Sequence, residues 1–341
     1  MAVGRTLGVG VVGCGLIGRR RAAEAAADPR TRLVVVADRA RAAAEELAAG
    51  TGAVAVFDWR EVTARGDVDI VCVATPNGQL AEVALAALDG GKHVLIEKPM
   101  GRTLAEAEHM LAAARQSRRL LKVGFNHRYH PAIAEAKRRI DAGGIGKIIN
   151  LRCRYGHGGR PGYESEWRGS RALAGGGELT DQGIHVIDLV HWLVGVPASA
   201  FAVLQTAVWP LGDLEDNAFG LFRFPGGGVA VFHTSWTQWK NLFSLEVFGT
   251  AGAVIVEGLG RSYGLETLTL HERRPEGGAP ETTRLEYPGE DRSWADEWED
   301  FLGAVVDGRP MLGEGAEGVT AMRMLDALYR SAASGQPELL R

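Results

Sequence analysis

Three side chains carry the strongest chemical signal in this chain of 341 residues: Lys98, Asp181 and His185. Asp181 and His185 stand four apart in the run Gly175-Gly176-Gly177-Glu178-Leu179-Thr180-Asp181-Gln182-Gly183-Ile184-His185-Val186-Ile187-Asp188. If a helix starts at or just before Asp181, the two share one face. Ile184, Ile187, Leu189 and Val190 then supply its apolar surface, and Asp188 reads as structural support. Imidazole is the side chain suited to take a proton near neutral pH. An ammonium group can hold a hydroxyl and stabilise negative charge developing on its oxygen. Lys98 and His185 together suit the removal of a hydroxyl proton as hydride leaves carbon. Asp181 would orient the substrate or the imidazole. The plainer alternative makes Asp181 a helix cap and His185 a satisfied core histidine. The preceding glycines and the setting of Lys98 favour the chemical reading.

Lys98 lies in Ile96-Glu97-Lys98-Pro99, between an apolar run His93–Ile96 and a proline, where it has little freedom to swing into solvent. Ala74-Thr75-Pro76-Asn77 ends the comparable run Asp69–Ala74. In open α/β sheets, ligands bind outside the carboxyl ends of the strands. Both turns therefore point to one crevice with a third motif, Gly13-Cys14-Gly15-Leu16-Ile17-Gly18. This G-x-G-x-x-G follows an apolar strand and opens a helix. Gly13 permits a tight turn, Gly15 a close backbone approach to a pyrophosphate, and Gly18 close helix–strand packing. The helix N-terminus, at Leu16 and Ile17, offers N–H groups to the anion. Asp38, 20 residues beyond Gly18, suits the adenosine ribose and repels a 2′-phosphate, so NAD is expected over NADP. Arg39 softens that preference by stacking on adenine or meeting a 2′-phosphate. Thr75, Pro76, Asn77, Glu97 and Lys98 face the same crevice, though Thr75 and Asn77 also suit an ordinary turn and Glu97 a surface charge. Asn126 and Arg128 follow a strand end and are expected to reach nicotinamide or substrate. A glycine-rich turn in a non-binding fold is the alternative to the whole motif.

The elements that must position these residues read in two textures. Over residues 1–125, strands at Leu7–Val12, Leu33–Ala37, Asp69–Ala74, His93–Ile96 and Leu121–Phe125 alternate with helices. The helices are expected at Leu16–Ala27, Ala40–Ala49, Leu80–Leu88 and Leu104–Gln116. Strands apolar on both faces imply a doubly wound α/β domain. From residue 126 to 341, one helix (Ala132–Ala142) leads into strand-like segments. These are Lys147–Tyr155, Ala200–Val208, Ala218–Phe224, Val229–Trp236, Phe243–Phe248 and Ala253–Glu257. Turn signals between them imply a largely antiparallel sheet. A helix near Gly183–Leu193 interrupts it, and Ala295–Val306 and Ala316–Ser331 close the chain, free to pack back on the first domain.

Composition narrows the setting. There are 38 basic and 42 acidic residues, for a net charge of −4, so no footprint for nucleic acid exists. No apolar run reaches the roughly 18 residues of a membrane span. An early first strand leaves no room for a signal peptide, and Arg19-Arg20-Arg21 follows its apolar run instead of preceding it. The 3 cysteines, Cys14, Cys72 and Cys153, fit no metal or redox spacing, and a reducing cytoplasm is expected. His127 and His130 have a spacing of three, but no third ligand completes a metal site, so no metal is expected. Of the 46 glycines, 12 fall between Gly143 and Gly183, ahead of the catalytic helix.

Part of that stretch, residues 156–171, is polar, aromatic and glycine-rich. Tyr163 and Trp167 suit stacking on the C–H faces of a hydroxyl-rich ring, as a ligand at this loop would need. Arg160 and Arg168 suit a carboxylate or phosphate. Packing for the aromatics and solvation for the arginines are equally open. Trp236 and Trp239 are further pocket-wall candidates, with core packing as the alternative.

The combination resembles the Gfo/Idh/MocA family of NAD(P)-dependent oxidoreductases over nearly the whole chain. The resemblance rests on Gly13–Gly18, Ala-Thr-Pro-Asn at 74–77, Glu97-Lys98-Pro99, Gly124-Phe125-Asn126 and the run at 175–188. It implies a Rossmann domain followed by an α/β domain with a large open, mostly antiparallel sheet. It implies Lys98, Asp181 and His185 as the catalytic trio, with His185 carrying the proton. The substrate would be a sugar, cyclitol or sugar nucleotide with one secondary hydroxyl oxidised or reduced. Dimers or tetramers would form through the outer sheet face. Where many members have a His after the Thr-Pro-Asn turn, Gly78-Gln79 stands here. Two other readings remain open: a glycosidase working by transient oxidation with tightly held NAD, and a non-catalytic dinucleotide-binding regulator.

Overall fold

The computed structural model describes residues 5–340; the outermost ends of the two expected domains, residues 1–4 and 341, lie outside the described residues. The chain divides into two compact units. The first runs to Phe125 and takes back Trp294–Val319; the second holds Asn126–Ser293 and the chain from Thr320.

In the first unit, β1 (Leu7–Val12), α1 (Leu16–Ala27), β2 (Thr31–Ala37) and α2 (Arg41–Thr51) are followed by β3 (Val54–Val56) and α3 (Trp59–Ala64). Then come β4 (Ile70–Val73), α4 (Asn77–Asp89), β5 (His93–Ile96), α5 (Leu104–Ser117) and β6 (Leu121–Val123). The six strands order as β3-β2-β1-β4-β5-β6, and every pairing is parallel. That order reverses direction beside β1, which opens a crevice at the carboxyl ends of β1 and β4. Val9, Val11, Ile70, Cys72 and Leu95 are fully buried, as strands covered on both faces must be. β3 and α3 lie outside every expected element. Three strand residues and a six-residue helix are too short to set a period; α3 relies on Asp58, whose carboxylate accepts the Arg60 N–H at 2.9 Å.

The second unit opens with α6 (Pro131–Asp141), β7 (Ile148–Gly156), α7 (Arg171–Ala174) and α8 (Ile184–Val194). Then β8 (Ser199–Gln205), β9 (Asn217–Arg223), β10 (Val229–Ser235), β11 (Leu242–Gly249), β12 (Gly252–Glu257), β13 (Glu266–Glu272) and β14 (Glu281–Tyr287) follow. The chain ends with α9 (Ser293–Asp307), α10 (Gly315–Ser334) and β15 (Glu338–Leu339). The nine-stranded sheet has the order β14-β13-β12-β11-β7-β10-β9-β8-β15. Only β7 and β10 pair in parallel, so the expected mostly antiparallel sheet is found. Three more strands than expected, β13, β14 and the two-residue β15, extend it. β14 is polar and largely exposed at the sheet edge, so its residues show little alternation. The closing helix α9 contributes Trp298, Phe301 and Leu302 to the core cluster of the first unit, with Val9, Ile70 and Leu95.

Candidate active site

The first unit builds a dinucleotide cleft from the glycine turn. Gly13 has φ +96°, the left-handed region, and a Cβ there would strike the carbonyl of Ala74. A Cβ on Gly18 would overlap the Gly13 carbonyl, so helix α1 can lie against the turn only with glycine. Gly15 has open space beside it and caps α1 without a side-chain bond. The first-turn N–H groups of Leu16 and Ile17 are therefore left for an anion. Asp38 is pinned by two N–H groups, Cys14 to one oxygen and Ala40 to the other, each at 2.8 Å. With Arg39, Thr75 and Pro76 it lines a cleft of about 460 Å³. The Thr75 Oγ1 is buried with no hydrogen-bond partner among the described residues. An open glycine, a bare helix start, a pinned carboxylate and an orphaned hydroxyl around one cleft fit a dinucleotide. Burial pushes the Cys14 thiol up to about 12, so the sulfur in the motif stays neutral and inert.

Two aromatics that the sequence reading missed, Phe57 and Trp59, also line this cleft, as does Gln79. Arg41 lies over Phe57 at 3.8 Å and Arg60 over Trp59 at 4.4 Å. Their signal lay in the unread β3–α3 segment.

Glu97 corrects an expectation. It is buried and turned to Arg21, at 2.7 and 2.8 Å, while Arg21 also meets Glu297 at 2.6 Å. Burial pushes the Glu297 carboxyl up, against the pull of Arg21 and Lys122. Glu97 thus braces the end of β5 from inside instead of offering its side chain to a cofactor. Lys98 follows it, half-buried, with a cis peptide to Pro99. Asn77 is buried at the start of α4.

The second unit positions Asp181 and His185. Leu179–Gly183 form a π-helical turn that runs directly into α8, a feature often found at functional sites. The helix expected to begin at Asp181 therefore begins as a wider turn around it. The preceding glycines have a packing reason. A Cβ on Gly176 would collide with the Tyr329 hydroxyl, and one on Gly177 with the Glu215 backbone. Glu215 clasps the turn: its Oε1 accepts Gly177 N–H and Leu179 N–H, each at 3.0 Å, and the Tyr329 hydroxyl at 2.7 Å. Burial pushes the Glu215 carboxyl up, and these bonds pull against it. No local pattern could have exposed this clasp, since its parts lie 38 and 114 residues apart.

Asp181 and His185 are both buried. The His127 ring stacks on His185 with centroids 3.9 Å apart, and Tyr155 stands edge-on to both. Burial and the neighbouring Tyr263 hold the Tyr155 phenol well above its ordinary value.

Several expected contacts are placed elsewhere. Arg128 is fully buried on Asp188, in a two-pronged pair at 2.6 and 2.9 Å, so its guanidinium is committed to α8 and not to a ligand. The Asn126 amide donates to Ser293 at 3.0 Å and its carbonyl faces His127. Arg168 donates to Asp181 at 3.0 Å, and Arg160 is paired with Glu166 at 2.6 Å. Both arginines read as anion ligands are thus already matched by carboxylates. Trp236 is fully buried in an aromatic and leucine cluster with Tyr163, Leu211 and Leu214, which makes both residues core packing. Trp167 is half-buried under Arg168, 4.4 Å from its ring, and Trp239 is exposed. Among the described residues no group of three or more His, Cys, Asp or Glu could hold a metal ion, and no helix is long and apolar enough to cross a membrane.

Comparison with known proteins supports the pattern. Residues 7–125 match the model of the oxidoreductase family with NAD-binding Rossmann fold, and residues 133–255 that of the GFO/IDH/MocA C-terminal domain. A levoglucosan dehydrogenase of Pseudarthrobacter phenanthrenivorans is 30% identical over 286 residues, covering 74% of this chain and 73% of its own. An inositol 2-dehydrogenase of Rhizobium meliloti is 28% identical over 96% of this chain and 97% of its own. A levoglucosan dehydrogenase solved with NADH and levoglucosan superposes with a TM-score of 0.89 at 28% identity, over 98% of this chain and 99% of that one. With its NAD-binding Rossmann unit and its open-sheet partner domain, the chain belongs to the GFO/IDH/MocA family of oxidoreductases.

Proposed function

We propose that this enzyme oxidises or reduces one secondary hydroxyl of an uncharged sugar or cyclitol, with NAD as cofactor. The observation that carries the reading is the buried Asp181–His185 pair on its π-turn, together with a dinucleotide cleft that retains every glycine its geometry requires. The relatives named for levoglucosan and inositol support the substrate class. NAD, when bound, supplies a hydride acceptor at nicotinamide C4. The chain's own groups do the rest. Leu16 and Ile17 N–H groups hold the pyrophosphate, and Asp38 holds the ribose. His185 takes the hydroxyl proton, Lys98 holds the same oxygen and stabilises its developing charge, and Asp181 orients the substrate. The preference for an uncharged ring follows from Arg160 and Arg168, both paired with carboxylates. Adding a phosphate or carboxylate would require breaking one of these pairs.

A panel of cyclitols, aldoses, uronic acids and sugar phosphates, each with NAD and with NADP, tests this at 340 nm. NADH formation from neutral members is expected, with anionic analogues at least about tenfold slower in kcat/KM, a penalty of roughly 1.4 kcal/mol. Faster turnover of a phosphate or uronate would contradict the assignment.

We also propose that copies of the chain pair through the outer face of the nine-stranded sheet. Val203, Phe219 and Val231 are exposed on the same face of three adjacent strands. Light scattering is expected to return a multiple of 36.4 kDa; a monomer would contradict this. The buried, unpaired cysteines support the proposed cytoplasmic setting.

A further inference from the structure

The mechanism leaves one residue of the His185 surroundings without a role. His127 belongs to the 3-10 turn Asn126–Tyr129, is buried, and lies face to face with His185, the planes 27° from parallel. Its placement is enforced from several sides. Arg128, the next residue, is locked on Asp188 of α8, one helical turn beyond His185. Asn126 Oδ1 stands 3.3 Å from His127 Nδ1. Tyr155 of β7 and Phe243 of β11 close the ring edges, at 5.2 and 6.2 Å between centroids.

The charged and titratable neighbours are mostly matched in pairs. His130, with its ring 5.6 Å from His127, is held by Glu266 at 3.0 Å. Arg128 is paired with Asp188, and Asp181 with Arg168. Glu178 accepts a hydrogen bond from the Thr234 hydroxyl, and the Tyr155 phenol is bonded to Tyr263. The ring stacked on His185, with its centroid 3.9 Å away, is itself titratable and lies in direct contact with it.

We propose that His127 is a positioning residue for His185: its ring face fixes the His185 imidazole, and a proton on either ring opposes a proton on the other, so the pair carries one proton at a time. The proposal rests on the reading of His185 as the proton carrier. Two like charges at this spacing in a water-poor site disfavour each other strongly, and two such rings titrate as one coupled pair. A proton arriving from the substrate hydroxyl is thus held only while His127 is neutral. As pH falls, a proton on His127 competes with one on His185 and keeps the base free to lower pH than a lone imidazole would be.

The test uses the full-length enzyme with His127→Phe, which keeps a flat stacked ring without a titrating nitrogen, and His127→Ala, which removes the stack. Two readouts are taken across pH: kcat/KM for NADH formation, and the His185 ring resonance by NMR, assigned through its loss in His185→Gln. In His127→Phe the plateau rate is expected within about threefold of the parent, while the acid limb and the His185 ring titration both move up by about half a pH unit or more. His127→Ala is expected to lose about tenfold in kcat across the whole range. A His127→Phe ring titration superimposable on that of the parent overturns the coupling, and full kcat in His127→Ala overturns the positioning. If His185 were not the proton carrier, the parent's acid limb would fail to follow the His185 ring titration. That outcome defeats the functional reading and is distinct from an unmoved ring titration in His127→Phe.

Discussion

His185→Ala is expected to lower kcat by about a thousandfold, and Lys98→Ala by about a hundredfold or more. In the proposed mechanism, loss of His185 leaves water to take the hydroxyl proton as hydride leaves, and water at neutral pH is a poor base. In the same mechanism, loss of Lys98 deprives the oxygen of the cation that stabilises its developing charge. The cleft lined by Asp38, Thr75 and Pro76 does not depend on His185, so NADH binding by fluorescence is expected unchanged in His185→Ala. Losing rate with binding intact marks groups that act in the transition state. Parent-like turnover in both variants would contradict the assigned roles.

The second large effect is structural. Asp188→Ala is expected to destabilise the protein by about 3–5 kcal/mol, because it strands the fully buried Arg128 guanidinium. The readout is the thermal midpoint, expected to fall by roughly 4–7 °C. Replacing both partners, Arg128→Met with Asp188→Leu, removes the charges together and is expected to recover most of that loss. Activity is not expected to recover with it, since the pair ties the turn bearing His127 to the helix bearing His185. A shift in Asp188→Ala worth less than about 1 kcal/mol would show that the pair is not the anchor its burial implies.

Much of the first unit was legible because its signals are local. The G-x-G-x-x-G turn, Asp38 and the five expected strands each depend on residues close in sequence, and the parallel sheet follows from their double-sided apolar character. Expected and observed bounds of β1 and α1 coincide at Leu7–Val12 and Leu16–Ala27. Short or polar pieces escaped: β3, α3 and the exposed edge strand β14 lack a period to read.

The site shows the same division. The Asp181 and His185 spacing was visible in sequence, as was the abundance of glycine before them. The reasons for that glycine were not, because Glu215 arrives from the loop before β9 and Tyr329 from α10. Side-chain destinations were the least legible of all. Arg128, Glu97 and Trp236 have the chemistry of ligand contacts, yet each is buried against a partner its sequence neighbourhood does not reveal. His127 is the reverse case: spacing offered it nothing as a metal ligand, and the fold laid it on His185.

The most direct test of the central claim, net oxidation of a neutral hydroxyl by this chain, is the yield of NADH per molecule of substrate consumed. With an active member of the cyclitol and aldose panel and excess NAD, one NADH is expected for each carbonyl product formed. Substrate consumed with no NADH accumulating would contradict the account and point to a redox-neutral reaction. No turnover of any member alongside tight NADH binding would contradict it equally and point to a dinucleotide-binding regulator.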